Sequence, residues 1–155
     1  MIKDTIISQT KNPSECESRE ELRNSVNQHR FDVANVMDML GEHIRETGEL
    51  HDWTKVDFFD DFYRDSIERI SNPNFKERDW FDIHCNYEGH HLNSKVPEDV
   101  DLFNVLESIV DCIVTAKSQG KELNPYFLII RRDVLKKAYW NTVRKLDDSI
   151  VLKED

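Results

Sequence analysis

The sequence predicts an all-α protein: a single compact helical domain of about five helices. Three observations predict it. Apolar residues recur at spacings of three and four over long stretches, the period of a helix with one buried face. Four glycines and four prolines in 155 residues leave too few breaks for a many-turned β fold. Gly48, Pro73, Gly89, Pro97, Gly120 and Pro125 fall where the apolar periods begin or end. A domain of this length buries about 68–70% of its unfolded surface, so neither a disulfide nor a metal is needed merely to fold it.

Residues 1–13 show no strong period, and residues 1–17 are expected to form a flexible N-terminal arm. The helical domain is expected over 18–150. SREE at 18–21 reads as a capping box, with Ser18 as N-cap and Glu21 reaching back. From there Leu22, Val26, Val33, Val36, Met37, Leu40 and Ile44 mark a first helix, stopped near Gly48. A second begins around His51 and turns Val56, Phe59, Phe62, Tyr63, Ile67 and Ile70 inward; SNPN at 71–74 breaks it. A shorter third helix covers 76–88, with Trp80, Phe81 and Tyr87 as its apolar members, and ends at Gly89. His90, His91 and a loop, LNSKV, follow. Pro97, Glu98 and Asp99 suit the first turn of a fourth helix. Leu102, Val105, Leu106, Ile109 and Ile113 are its stripe, and Gly120 ends it. Asn124-Pro125 opens a fifth helix reaching to about Ile150. No repeat, low-complexity tract or domain linker is present.

Charge and cysteine content narrow the function. A net charge of -10 argues against general nucleic-acid binding and against anionic membrane surfaces. The longest apolar run, YFLII at 126–130, is too short to span a membrane, and MIKDTIISQT lacks the apolar core of a signal peptide. Cys16, Cys85 and Cys112 are scattered, with no CxxC pair. Neither a disulfide framework nor a thiolate zinc site is expected, and a cytoplasmic location suits such a chain. The segment 125–150 is locally basic, with Arg131, Arg132, Lys136, Lys137, Arg144 and Lys145. It reads as a solvated face balancing the acidic body; the alternative is an anchor for substrate phosphates.

HDWTK at 51–55 puts a histidine beside an aspartate where one helix stops and the next begins. Whether that pair matters depends on what converges on it. His29 falls inside the first helix's apolar arc and is expected to point inward; His43 falls at the edge of that arc. His84 lies on the third helix, and His90 and His91 follow its C-terminus. Histidines and a carboxylate inside a helical core are costly unless paired or bound to metal. Imidazole with carboxylate suits iron, manganese, zinc or nickel. Asp111 lies on the polar arc of the fourth helix with Asn104, Glu107, Ser108 and Thr115, an arc that is either solvent-exposed or the lining of a wet site. Lys55 either stabilises charge on a phosphate oxygen or pairs with Asp57 and Asp60. Asp57, Asp60, Asp61 and Asp65 read as a solvated face. Trp53 and Trp80 either pack the core or wall a pocket, with core favoured for Trp80.

The order His29, His51-Asp52, His84, His90-His91, Asp111 resembles the HD-domain superfamily of metal-dependent phosphohydrolases. It is similar to the dinuclear branch that includes the HD-GYP cyclic-dinucleotide phosphodiesterases. HDWTK resembles that branch's HDIGK signature, with Lys55 in the matching place. Small stand-alone bacterial and phage proteins with HDWSK-like stretches are similar as well. The resemblance covers about residues 22–118. The GYP motif is absent, and the interval from His84 to His90 is shorter than in the phosphodiesterases.

The resemblance implies an HD-like helical domain binding two divalent metal ions (iron, manganese, nickel or zinc). His29, His51, Asp52 and Asp111 would hold one, and Asp52 would bridge to a second held by His84 with His90 or His91. Asp52 and Lys55 would carry the chemistry: hydrolysis of a nucleotide or other small phosphoester, as a monoesterase or diesterase. Two other readings stand beside it. One is an HD-type di-iron oxygenase. The other is a non-catalytic protein that sequesters a nucleotide or blocks a partner. A homodimer is compatible with each.

Overall fold

The computed structural model describes residues 2–76, 79–92 and 96–153. The described chain is all-α apart from one short pair of strands. Its elements are β1 (Thr5–Ile7), α1 (Arg19–Glu49), α2 (Trp53–Asp57), α3 (Phe59–Ser71), α4 (Asp79–Tyr87), α5 (Leu102–Ser118), α6 (Arg132–Ser149) and β2 (Ile150–Leu152). Two compact units emerge: Met1–Glu46 with Val143–Asp155, and Thr47–Thr142. The divisions fall within α1 and α6 rather than at a linker.

In the first unit the expected free arm is a paired strand. β1 runs parallel to β2, with Thr5 opposite Ile150 and Ile7 opposite Leu152, and Lys153 N donates to Ile7 O at 2.8 Å. The segments TII at 5–7 and IVL at 150–152, rich in β-branched residues, pair because each supplies the partner the other lacks, a non-local match invisible to a local period. Ser8 N donates to Asp32 Oδ2 at 3.2 Å, tying the strand's end to α1. The Ser18 cap is real: Glu21 N donates to Ser18 Oγ at 3.1 Å. The Glu21 side chain reaches one residue further back than expected, accepting from Glu17 N at 2.7 Å.

The register of α1 departs from expectation. Val26 and Val33 are each 48% exposed and Met37 is 60% exposed, whereas Asp32 is buried. His29 is exposed and His43 partly buried, the reverse of their expected places. The sheltered face carries Ser25, Asp32, Val36 and His43, roughly 100° (one residue's rotation) from the valine stripe. Periodicity locates an apolar arc; it does not say that the arc is the covered one.

The second unit has its own core: Leu92, Val100, Val105, Val134 and Ala138, flanked by Val96, Leu102, Ile109 and Ile130. α5 starts at Leu102, later than Pro97 suggests. Asp101 is its cap, accepting from Phe103 N at 2.9 Å and Asn104 N at 3.0 Å, while Asn104 Oδ1 accepts from Asp101 N. Pro97 instead opens a turn closed by Val100 N. Gly120, at φ +64°, ends α5 in a Schellman motif: Lys121 N bonds to Ala116 O and Gly120 N to Lys117 O. The expected fifth helix is split into a 3-10 turn at Pro125–Leu128 and α6. Asn141 Nδ2 donates to Val100 O at 2.8 Å and so holds α6 against the segment before α5.

The expected second helix is broken at Phe58 into α2 and α3. Of its apolar members Phe62 is partly buried, but Val56, Phe59, Tyr63, Ile67 and Ile70 are exposed. The bond that fixes α3 on α4 is polar: Trp80 Nε1 donates to Asp65 Oδ2 at 2.7 Å, with both residues buried. Asp65 is therefore not part of a solvated face; an indole N–H taken into the interior requires an acceptor there. Phe62 meets Trp80 edge-on at 5.4 Å. Trp80 is core, as favoured, and Trp53 is 39% exposed. Residues 77 and 78, assigned to the third helix, and 93–95 of the LNSKV loop lie outside the described residues.

Candidate metal centre

Asp52 is the N-cap of α2 and has φ 58°, ψ 23°, the one positive φ at a non-glycine among the described residues. The left-handed region costs an ordinary L-residue roughly 1–2 kcal/mol, and aspartate tolerates it better than most. Around it the chain folds by short turns, Trp53 N to Leu50 O at 3.2 Å and Lys55 N to Asp52 O at 2.9 Å.

Imidazoles from three places face this carboxylate. His51 Nε2 lies 3.4 Å from Asp52 Oδ2. His84 Nε2, from α4, lies 3.7 Å from Asp52 Oδ1, and His90 Nε2, from the following loop, lies 3.8 Å from the same oxygen. His91 Nε2 is 2.7 Å from His84 Nε2. From α5, Asp111 Oδ1 approaches His51 Nε2 at 3.5 Å. Two groups of ligand atoms result, each within 4.8 Å: His51, His90 and Glu107, and Asp52, His84 and His91. All of these residues belong to the second unit. His29 is in neither group.

The loop that delivers His90 and His91 approaches α5 closely at Gly89. A Cβ on Gly89 would lie 2.7 Å from Asn104 Cγ, so only glycine passes there without displacing the Asn104 side chain.

Hydrogen bonds beneath the histidines set their tautomers. Thr54 Oγ1 donates its one proton to Glu88 Oε1 at 2.8 Å. It must therefore accept from His84 Nδ1, which lies 2.6 Å away. With its proton on Nδ1, neutral His84 presents a bare Nε2 to Asp52 and His91. Thr54 and His84 are almost fully buried and Glu88 is 4% exposed, so water does not compete for these bonds. Glu107 is the matching support for His51. Its Oε1 accepts from His51 Nδ1 at 2.9 Å, again leaving Nε2 toward the aspartates. Such carboxylate–imidazole contacts orient ligating histidines in metal sites generally.

The charge states follow. The Glu107 bond raises the His51 pKa, with burial opposing. Burial would push Glu107 up, but the hydrogen bonds with His51 and His90 outweigh it and bring its carboxyl down to about 2. Burial likewise opposes ionisation of Asp52; the Lys55 hydrogen bond, at 2.5 Å, and the charges of Lys55, His51 and His90 overcome it. Burial depresses His84, aided by the Lys55 charge, and brings His91 down to about 4, aided by the neighbouring His90 and His84 rings. Neutral His84 and His91 therefore stand beside the ionised Asp52 and Glu107 near neutral pH, while His51 is drawn toward its charged form.

This donor set fits divalent cations. Asp52 Oδ1 and His90 Nε2 are buried without a hydrogen-bond partner, and an unmet buried polar atom costs roughly 1–3 kcal/mol. The two atoms face each other at 3.8 Å, beyond hydrogen-bond reach, and a cation between them would satisfy both. Imidazole and carboxylate without thiolate match iron, manganese, nickel or zinc.

Of the residues singled out in the sequence, His51, Asp52, His84, His90, His91 and Asp111 are brought together, and His29 is not among them. Asp111 resolves toward the wet-site alternative: its side chain is 34% exposed at the rim, and it accepts from Thr115 Oγ1 at 3.1 Å. Lys55 pairs with Asp52 rather than with Asp57 or Asp60. Thr54 and Glu88 escaped sequence reasoning, which places Glu107 only as a neighbour of Asp111 on the polar arc. A signal existed, since Glu88 lies four residues after His84 and Glu107 four before Asp111, one helical turn in each case. The basic segment carries ion pairs of its own, Arg131 with Asp133 and Lys137 with Glu98, in keeping with a solvated face. No disulfide joins the cysteines, and no helix among the described residues is long and apolar enough to cross a membrane. Compared with protein-family models, curated proteins and solved structures, the chain matches none of them.

Proposed function

We propose that this protein is a metal-dependent phosphohydrolase acting on a nucleotide or another small phosphoester. The observation that carries the reading is the Asp52 carboxylate: one oxygen faces His51, the other faces His84 and His90. That is the arrangement a carboxylate needs to serve two cations at once. The resemblance of the His/Asp order to the HD-domain superfamily supports it from the sequence side.

His51, Asp52, His84, His90, His91 and Asp111 would hold the cations. Bound there, divalent ions supply Lewis acidity toward phosphate oxygens and bring the pKa of a water towards about 7. The chain's residues do the rest. Glu88 and Thr54 keep the His84 proton on Nδ1, so that its Nε2 presents a lone pair, and Glu107 engages His51 Nδ1, so that Nε2 is the nitrogen His51 would offer a cation. Lys55 holds an ammonium group against Asp52 and faces charge on an incoming phosphate oxygen. The overall charge of -10 repels long polyanions, while a small anion responds to the local cationic centre.

The test is to strip the protein, reload it with manganese, iron, nickel or zinc, and screen nucleoside monophosphates, cyclic nucleotides and simple phosphoesters for phosphate release. Turnover that disappears in Asp52→Ala is the expected result. Tight nucleotide binding without turnover under every metal would replace the reading with a sequestering protein. Oxygen uptake with an organic substrate, and no phosphate release, would replace it with an oxygenase.

A further inference from the structure

Beside the histidine cluster lies a cleft of about 350 Å³ in the second unit. One part of its lining is aromatic: Phe62, Trp80 and Phe81. Another part is Lys55, His84 and His91, the same side chains that stand at the candidate metal centre. Ser66 and Arg69 also line it.

The aromatic part is a fixed surface. Phe62 packs edge-on to Trp80 at 5.4 Å and Trp80 edge-on to Phe81 at 5.8 Å. The bond from Trp80 Nε1 to the buried Asp65 sets the indole's orientation. Because these rings pack edge to face, no slot opens between them for a second ring. A ligand ring must lie along the wall, where it gains apolar burial and edge or face contacts. Lys55 and Arg69 suit an anionic head on such a ligand, and the Asp65 carboxylate that also lines the cleft is engaged by Trp80 Nε1. Size limits what else fits: ligand pockets span roughly 300–1,000 Å³, so this one is at the small end.

We propose that this cleft is the substrate-body site and that it takes one aromatic group. The ligand is a phosphoester of a single ring-bearing alcohol, its ring along Phe62, Trp80 and Phe81, its phosphate toward Lys55, His84 and His91. A dinucleotide, with two such groups, is not accommodated. The proposal rests on the phosphohydrolase reading for the identity of the anionic head, and on the cleft alone for the aromatic body.

The test uses the full chain, with phenyl phosphate, inorganic phosphate and a cyclic dinucleotide as probes, and calorimetry as readout. Phenyl phosphate should bind at least about ten-fold more tightly than inorganic phosphate, the scale expected for burying one ring. The cyclic dinucleotide should gain nothing over inorganic phosphate. Phe81→Ala should narrow the gap between the first two probes. Ser66→Phe, which fills the cleft from an exposed position, should narrow it too and keeps the test valid if Phe81→Ala unfolds. In a Trp53→Phe, Trp140→Phe background, phenyl phosphate should quench the remaining Trp80 fluorescence. Equal affinity for phenyl phosphate and inorganic phosphate, or tighter binding of the dinucleotide, overturns the cleft proposal even if phosphate esters are hydrolysed. An aromatic advantage that Ser66→Phe abolishes, without hydrolysis under any metal, upholds the cleft and overturns the phosphohydrolase reading instead.

Discussion

The histidines of α1 and those of the second unit make an instructive pair. His29 and His43 sit on a long regular helix, and neither belongs to a ligand group among the described residues. His51, His84, His90 and His91 come from a turn, a short helix and a loop, yet their ring nitrogens gather about one carboxylate. A helix spreads its side chains along an axis, about 5.4 Å per turn, so histidines fourteen residues apart on one helix cannot share an ion. Turns and helix ends bring chain segments together and let side chains aim at a point. The difference teaches that a histidine gains chemical meaning from the carboxylate and supporting hydrogen bonds around it, not from its place on an amphipathic arc.

The sharpest way to break this comparison is to remove the convergence point. Asp52→Ala should lose more metal than any single histidine change, since its two oxygens face separate imidazoles. Elemental analysis of the reloaded variant reads the loss, and circular dichroism should show the helices retained. A variant that keeps two metals per chain would remove Asp52 from the bridging position.

Next comes the buried support. Thr54→Val keeps the shape and deletes the hydroxyl between His84 and Glu88. Glu88 Oε1 keeps its bond from Thr54 N at 3.1 Å, but leaving the buried His84 Nδ1–H unmet should cost roughly 1–3 kcal/mol, read as a lower midpoint in denaturant. Nitrogen NMR of His84 should at the same time lose the signature of a fixed Nδ1–H tautomer. Thr54→Ser should restore both. An unchanged tautomer in Thr54→Val would mean that the hydroxyl does not set it.

A third effect is pH-dependent and belongs to the metal-free protein. The His91 pKa in the folded state is about 4, below the ordinary histidine value of 6.5. A depressed folded value means that stability is fully present above 6.5 and is lost as pH falls towards 4. His84 shifts in the same direction, and His51, raised by Glu107, in the opposite one. Thermal midpoints measured across that window should fall with acid, and His91→Gln should flatten the slope. A slope equal in the variant would exclude His91 as its source.

The smallest effect should be His29→Ala. An exposed position away from caps and cores changes stability by about 0.5 kcal/mol or less, and the ligand groups of the second unit contain no His29 atom. Metal content should be unchanged. A variant that drops a metal would break the comparison and return His29 to the ligand set implied by the HD-domain resemblance.

Much of this molecule is local and could be read from the chain alone. The all-α class follows from period and punctuation, because a run such as Leu102 to Ile113 has only one stable way to hide its stripe. The Ser18 cap and the Gly120 stop are likewise decided by a few neighbouring residues. His51-Asp52, His84 and His90-His91 could be singled out because histidines and a carboxylate inside a helical core are costly unless paired or bound to metal, and because their order resembles that of the HD-domain superfamily. Other features depend on partners distant in sequence. β1 exists because Ile150–Leu152 lies beside it, and Asp65 is buried because Trp80 needs an acceptor. The sheltered side of α1 was decided by what packs on it, so the valine stripe misled. Thr54, Glu88 and Glu107 became supports of the centre only when 34-residue and 56-residue separations closed to hydrogen-bond distance. Sequence period reports which groups prefer to leave water; tertiary structure decides which polar groups must then find one another.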